Sequence, residues 1–146
     1  MADYVEMAEA LAVHGSNVTA DLRELWRRIA LSLAINNTDD HLRNHGFLHV
    51  ANGWQLAPVF DINPNPDAAA HRVIGVGGAT DRATGLRNLV ALAESFALDH
   101  RAARDTWNEI RDVVSEWRAI ARGNGIATGE QRRFSDALDG ALSMEA

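Results

Sequence analysis

Residues 36–56 read NNTDDHLRNHGFLHVANGWQL, and this stretch is the most informative about the fold. An Asn-Gly pair, Asn52-Gly53, separates two short runs of apolar and aromatic residues, 47–50 and 54–56. Asn-Gly fits the two-residue turn whose twist matches that of paired antiparallel strands. We therefore expect one short β-hairpin, preceded by a polar segment that leaves a helix.

Helical periodicity dominates the rest of the chain. Before the hairpin, residues 3–13 predict a short helix, and apolar positions at helical spacing predict a second helix that ends near Asn36. Asp21 is expected to cap the second helix, and asparagine at its end tolerates a left-handed backbone. After the hairpin, helices are predicted over 86–96, over 99–122 and from a cap at Thr128. The expected fold class is mainly α with one short β-hairpin, in a single domain spanning residues 1–146.

Composition excludes several classes of function. The 20 acidic and 14 basic residues give a formal net charge of −6, which disfavours direct binding to nucleic acid. All 14 basic residues are arginine, so mechanisms that need a lysine from this chain are excluded. The absence of cysteine excludes thiol nucleophiles and cysteine-ligated metals. No apolar run approaches the roughly 20 residues that span a bilayer, and the acidic N-terminus does not fit a secretory signal. We expect a cytoplasmic protein without membrane contact.

Three oxygen-bearing side chains have the order and spacing of a phosphoryl-transfer site. Asp39 and Asn44 fit the pattern D-x-x-x-x-N, and Asp61 follows the hairpin. Phosphoryl transfer needs a carboxylate that receives the proton of the attacking hydroxyl and oxygen ligands that hold Mg²⁺ on the phosphates. Asp40 leaves one residue too few before Asn44, so it is interpreted as a solvated or capping neighbour. Asn63 occupies the place of the glycine in the kinase D-F-G motif and is expected to tolerate a left-handed backbone.

Two sequences, NNTDDHLRNHGFL at 36–48 and WQLAPVFDINP at 54–64, together resemble the C-terminal part of HipA-like serine/threonine kinases. These are the toxin kinases of bacterial toxin–antitoxin pairs. The resemblance implies that the chain is the C-terminal lobe of a protein-kinase-like fold. It also implies transfer of the ATP γ-phosphoryl group to a serine or threonine of a protein substrate.

The same resemblance implies a role for individual residues. Asp39 would be the catalytic base, and His41 lies in the same motif, where it would orient the loop by hydrogen bonding. Asn44 and Asp61 would coordinate Mg²⁺ and, through the metal, bind ATP. HipA-like kinases also have an N-terminal lobe with a phosphate-covering loop and an ATP-contacting lysine, neither of which is present in this sequence. We therefore expect the chain to be incomplete and inactive alone, with a separate N-terminal lobe or an antitoxin as its partner.

Two alternatives remain open. The chain could be a non-catalytic interaction module of a toxin–antitoxin system, or a small metal-dependent hydrolase that uses its His/Asp cluster. The four-residue spacing of His41, His45 and His49 does not favour the hydrolase, because Gly46 and the hairpin break any helix that would align them. The glycine-rich segment Gly75–Gly78 is interpreted as a flexible loop rather than a phosphate cradle.

Overall fold

The computed structural model describes residues 2–145. Within that range the protein is mainly helical and contains an antiparallel hairpin, as expected from the sequence. In chain order the elements are α1 (Tyr4–His14), α2 (Val18–Ala34), β1 (Phe47–Val50), β2 (Gly53–Leu56), α3 (Arg82–Ala91), α4 (His100–Ser115), α5 (Trp117–Gly123) and α6 (Thr128–Leu142). Short 3-10 turns occupy Leu42–Asn44 and Ala93–Phe96.

The first helix begins and ends close to its predicted boundaries. The Asp3 carboxylate accepts a hydrogen bond from the Val5 amide (2.9 Å), and the Asp3 amide donates to the Glu6 carboxylate (3.1 Å). These reciprocal bonds form a capping box, which satisfies amides that the first helical turn would leave unpaired. At the other end, the Gly15 amide donates to the Leu11 carbonyl (2.8 Å).

The second helix, α2, is central and packs against α1, α3, α4 and α6. Its predicted apolar stripe is buried and comprises Leu22, Leu25, Trp26, Ile29 and Leu33. The Trp26 indole nitrogen donates to the Leu89 carbonyl on α3 (3.1 Å), so this buried tryptophan has its polar group paired. The helix begins at Val18, about one turn before Asp21, so the predicted cap at Asp21 is wrong.

The end of α2 is an asparagine with a left-handed backbone, as predicted. Asn36 has a φ of 58°, which asparagine adopts more readily than most residues. Its side-chain amide donates to the carbonyls of Asn65 and Asp67, both at 2.9 Å. The Asn65 side chain in turn donates to the Thr38 hydroxyl (2.6 Å). The polar segment after α2 is therefore held against the loop that follows the hairpin.

The hairpin forms around the predicted Asn-Gly turn, with Phe47 paired to Leu56. Gly53 has a φ of 135°, and a Cβ at this position would lie 2.7 Å from the His14 carbonyl oxygen. Only glycine therefore allows the hairpin to approach the end of α1 this closely. Asp21, which does not cap α2, accepts a hydrogen bond from the Leu56 amide (3.3 Å). Contacts to α1 and α2 thus fix the position of the hairpin.

The helix predicted over 99–122 is interrupted. It divides at Glu116 into α4 and α5. Beyond the break, the Trp117 indole donates to the Asp139 carboxylate on α6 (3.0 Å), and Arg118 donates to the same carboxylate (2.6 Å). These contacts with α6 are not visible in the local sequence pattern, which explains why a continuous helix was predicted.

Two helix starts also differ from the predictions. The segment predicted over 86–96 begins earlier, at Arg82, because the Asp81 carboxylate caps it by accepting a hydrogen bond from the Thr84 amide (2.9 Å). Thr128, predicted as the cap of α6, is its first helical residue.

Candidate active site

The polar segment after α2 carries Asp39 and Asn44. Asp39 is exposed, whereas Asn44 is half-buried at the end of the Leu42–Asn44 turn. In this turn the Asn44 amide donates to the His41 carbonyl (2.8 Å). The Asn44 side chain reaches back to Asp39, whose backbone carbonyl accepts a hydrogen bond from Asn44 Nδ2 (3.4 Å). The structure therefore places these two residues next to each other, with Asp39 open to solvent.

Asp61 follows the hairpin and has a left-handed backbone. Its φ is 56°, a conformation that aspartate adopts at some cost. The Asn63 side-chain amide donates to Asp61 Oδ1 (2.8 Å). The kinase motif suggested a left-handed backbone at Asn63. In the structure, the left-handed residue of this segment is Asp61 instead. Asn63 instead orients the Asp61 carboxylate.

Asn44 and Asp61 line one cavity, together with Asp40 and His45. The cavity has a volume of about 10 Å³, which is enough for one group of the size of a water molecule. Amide and carboxylate oxygens suit Mg²⁺, which binds few protein ligands and retains waters and substrate phosphates. Asn44 and Asp61 therefore bring to this cavity the types of donor that suit Mg²⁺. Asp39 lies outside the cavity, beside Asn44.

His41 contributes to the loop through its backbone. Its carbonyl accepts the hydrogen bond from the Asn44 amide that closes the turn. Its ring Nδ1 is buried and has no hydrogen-bond partner within residues 2–145. The structure thus places His41 in the motif, but the side-chain hydrogen bond that would orient the loop is not formed among the described residues.

Asp40 has a different environment from the one that the sequence suggested. Only 5% of its surface is exposed, so the interpretation as a solvated neighbour is wrong. Asp40 Oδ2 accepts hydrogen bonds from the hydroxyls of Tyr4 and Ser32, and Oδ1 lies 2.8 Å from His45 Nε2. The Arg72 guanidinium lies 3.7 Å from Oδ2. We call these five residues the Asp40 cluster.

The environment of the cluster determines the ionisation of Asp40 and Tyr4. Burial alone would raise the pKa of the Asp40 carboxyl, but hydrogen bonds from His45 and Tyr4 and the charges of His45 and Arg72 lower its pKa below the ordinary value. Burial raises the pKa of Tyr4 well above its ordinary value, against the opposing effect of the Arg72 charge. At neutral pH Asp40 is therefore a carboxylate, and Tyr4 remains a hydroxyl donor.

Arg72 links the cluster to the backbone, and the sequence analysis missed it. Its buried guanidinium donates to the Tyr4 hydroxyl (2.8 Å), the Ser32 hydroxyl (3.0 Å) and the Asn37 carbonyl (3.0 Å). The available signal was the run AAAHRVIGV at residues 68–76. A charged residue within such an apolar run needs a buried partner elsewhere in the chain.

The glycine-rich segment Gly75–Gly78 is held by hydrogen bonds, so its interpretation as a flexible loop is wrong. The amides of Gly77 and Gly78 donate to the Asp3 carboxylate at 3.1 and 2.7 Å. A carboxylate of the chain therefore occupies the amides that a phosphate cradle would use. This contact agrees with the interpretation that the segment is not a nucleotide-binding loop.

The three regularly spaced histidines make separate contacts. His45 bonds to Asp40, and the His49 ring packs edge-on against Trp54, with 5.0 Å between ring centres. Within residues 2–145, no three His, Asp or Glu side chains form a group that could hold a metal, so no such cluster supports the hydrolase alternative. In the same range, each helix is too short or too polar to cross a bilayer.

The chain is similar to known proteins, and the family match includes the segment that carries the site. The sequence profile of the HipA-like C-terminal domain matches residues 1–117, which include Asp39, Asn44 and Asp61. A Haemophilus influenzae protein described as "Putative kinase" is 35% identical over 68 residues, which cover 44% of this chain and 20% of that protein. The chain thus spans about a fifth of the length of this curated relative. Because the family profile covers most of its length, the chain belongs to the HipA-like C-terminal domain family.

Proposed function

We propose that the chain supplies the base and the magnesium ligands of a serine/threonine kinase, in the C-terminal lobe of a protein-kinase-like fold. The observation that carries the proposal is the single small cavity shared by Asn44 and Asp61, with Asp39 hydrogen-bonded to Asn44 at its side. Membership of the HipA-like family and the similarity to a protein described as a kinase support it.

The proposed chemistry assigns each of the three residues one task. The exposed Asp39 carboxylate accepts the proton of a substrate serine or threonine hydroxyl. The hydroxyl oxygen forms a bond to the γ-phosphorus of ATP, and the bond from that phosphorus to the bridging oxygen of ADP breaks. Asn44 and Asp61 would hold Mg²⁺, which when bound neutralises charge on the phosphates.

A second lobe is part of the proposal. The chain has no lysine, so an ATP-contacting lysine must come from another segment or polypeptide. Large apolar side chains on the hairpin and directly before Asp61 are also exposed, including Leu48, Trp54 and Phe60. Exposed apolar groups of this kind favour a surface that a partner covers. We propose that this partner is an N-terminal kinase lobe, and that the whole protein acts in a toxin–antitoxin system.

The test combines the chain with a separately produced N-terminal lobe of a HipA-like kinase and measures transfer of ³²P from ATP to serine- or threonine-containing peptides. We expect transfer in the mixture, and we expect Asp39→Asn to reduce its rate about 100-fold or more, because a general base contributes that much. Asp105→Asn, which alters an exposed aspartate on α4, is the matched control and should leave the rate unchanged. If Asp39→Asn has no effect while a folded Asp40→Asn is inactive, the base is assigned wrongly.

The exposed apolar residues also favour a second candidate, a non-catalytic interaction module. In that case partner binding would be independent of nucleotide and of Asp39. Pull-down of the N-terminal lobe or antitoxin by the Asp39→Asn variant, with no ³²P transfer by the unmodified mixture, would support this candidate over the kinase.

A further inference from the structure

Two predicted site residues are each followed directly by a residue with a buried side chain, and these two buried side chains bond to each other. Asp39 precedes Asp40, and Asn44 precedes His45. His45 follows directly on the 3-10 turn that ends at Asn44, and the two residues line the same cavity. Asp39 is exposed while Asp40 is buried. Because each buried side chain is one residue away from a predicted site residue, a bond between the buried pair also restrains Asp39 and Asn44.

The bond between Asp40 and His45 closes the loop that carries the site. Asp40 Oδ1 and His45 Nε2 are 2.8 Å apart, and both side chains are only 7% exposed. The other carboxylate oxygen, Oδ2, faces Tyr4 on α1 and Ser32 on α2, so one end of the loop is anchored to two helices. The loop closed by this bond contains the 3-10 turn that ends at Asn44.

We propose that Asp40 and His45 are positioning residues, which hold Asn44 at the cavity and beside Asp39 so that a metal–nucleotide complex can bind. This inference rests on the proposed function, because it assigns a purpose to the same site. Partners that orient metal ligands without touching the metal commonly change metal affinity about 10- to 100-fold when they are removed.

If Asp40 and His45 only stabilised the fold, their removal would not specifically weaken binding of a metal–nucleotide complex. A substitution at Tyr4, another residue of the Asp40 cluster, distinguishes this structural role from a positioning role. Tyr4→Phe removes a hydroxyl that bonds to Asp40 Oδ2 and to Arg72, but it leaves the bond between Asp40 and His45 intact. His45→Leu removes that bond. Both changes disturb one buried network, and only the second releases the loop end next to Asn44.

The experiment uses the whole chain, ¹⁵N-labelled, with Mn²⁺·ADP as a paramagnetic probe and NMR as the readout. In the unmodified chain, signals of the Asn44 side-chain amide and of the Asp61 backbone should broaden selectively as the probe is added. His45→Leu should require about tenfold more probe for the same broadening. His45→Gln, whose side-chain amide can donate to Asp40, should restore broadening to within about twofold. Tyr4→Phe should lower the thermal midpoint and leave the broadening unchanged.

The outcomes separate failure of this inference from failure of the proposed function. Equal broadening of Asn44 in His45→Leu and in the unmodified chain would overturn the positioning role while leaving the proposed function in place. Absence of selective broadening at Asn44 and Asp61 in the unmodified chain would overturn both. If His45→Leu does not fold, His45→Asn replaces it, because the shorter side chain does not reach Asp40, and the same comparison applies.

Discussion

Asp39 and Asp40 are adjacent in the chain and have opposite environments. Asp39 is exposed to solvent. Asp40 is buried among two hydroxyls, a histidine and an arginine, which together compensate the cost of burying its charge. Two aspartates in succession thus divide the proposed tasks of proton acceptor and support, one exposed to solvent and the other buried.

The lowered pKa of Asp40 predicts a pH dependence of stability. Because the folded-state pKa lies below the unfolded value, Asp40 stabilises the protein fully above about pH 4, and this contribution is lost as the pH falls through the folded-state pKa. Urea unfolding of the unmodified chain and of Asp40→Asn, between pH 7 and pH 3, measures it. The difference in unfolding free energy between the two proteins should shrink below about pH 4. A difference that stays constant over this range would contradict the prediction.

At the scale of elements, the site depends on how the hairpin is attached. β2 contacts the end of α1, and the Leu56 amide of β2 donates a hydrogen bond to the Asp21 carboxylate on α2. The segment that leads to Asp61 begins directly after this strand. Its placement therefore follows from the close approach at Gly53, and a change at this glycine should affect both hairpin and site.

We predict that Gly53→Ala lowers the free energy of unfolding by about 2 kcal/mol or more, because the φ of 135° is strained with a side chain and the Cβ would overlap the His14 carbonyl. Gly129→Ala is the control, since a Cβ at this position in α6 meets no atom within 4 Å. Alanine in a helix should be neutral or stabilising by about 0.5–1 kcal/mol. Urea denaturation measures both, and equal stability of Gly53→Ala and the unmodified chain would contradict the geometry of the turn.

A second prediction concerns the 3-10 turn before α4. Ala97, which ends this turn, has a φ of 56°, where a Cβ is unfavourable by about 1–2 kcal/mol. Ala97→Gly should therefore raise the unfolding free energy by about 0.5 kcal/mol, after the greater entropy of glycine in the unfolded chain is subtracted. Ala119→Gly, at an exposed position of α5, should have the opposite sign and cost about 1 kcal/mol. Thermal unfolding of both variants checks the two signs, and destabilisation by Ala97→Gly would contradict the prediction.

At the scale of the whole molecule, the chain carries some of the groups that a nucleotide site needs and lacks others. The chain contains the oxygen groups proposed for the base and the metal, and it contains no lysine. Its glycine-rich segment is occupied by the Asp3 carboxylate and so offers no free amides to a phosphate. The molecule therefore provides one side of the proposed nucleotide site, while exposed apolar side chains near the hairpin suit a covering partner.

We predict that the chain alone binds ATP only weakly, with a Kd on the order of 1 mM, and transfers no measurable phosphoryl group. The reason is that, under the proposal, Asn44 and Asp61 would bind the nucleotide only through a metal, and the chain has no lysine that could contact the phosphates. Isothermal titration calorimetry with ATP and Mg²⁺ measures the Kd. A ³²P transfer assay measures phosphoryl transfer. Robust transfer by the chain without any partner would contradict it.

Local sequence signals predicted the parts of the molecule that depend on neighbouring residues. The Asn-Gly pair predicted the hairpin and Asn36 the end of α2, and both are confirmed, whereas the assignment of Asp39, Asn44 and Asp61 to a site stays a prediction. The cluster beneath the site could not be predicted in this way, since Arg72 and Tyr4 are 68 positions apart in the chain. The break at Glu116 escaped prediction for the same reason, as Trp117 and Arg118 find their partner on α6.

The first residues of the chain depend on partners that are synthesised much later. Asp3 is bonded to amides 74 and 75 positions downstream, and Tyr4 is bonded to Asp40 and Arg72. During translation, the bonds from Asp3 to these amides therefore cannot form until residue 78 has left the exit tunnel of the ribosome. Until then α1 lacks the anchor that Asp3 provides, and only the contacts of α1 with earlier elements such as α2 can hold it.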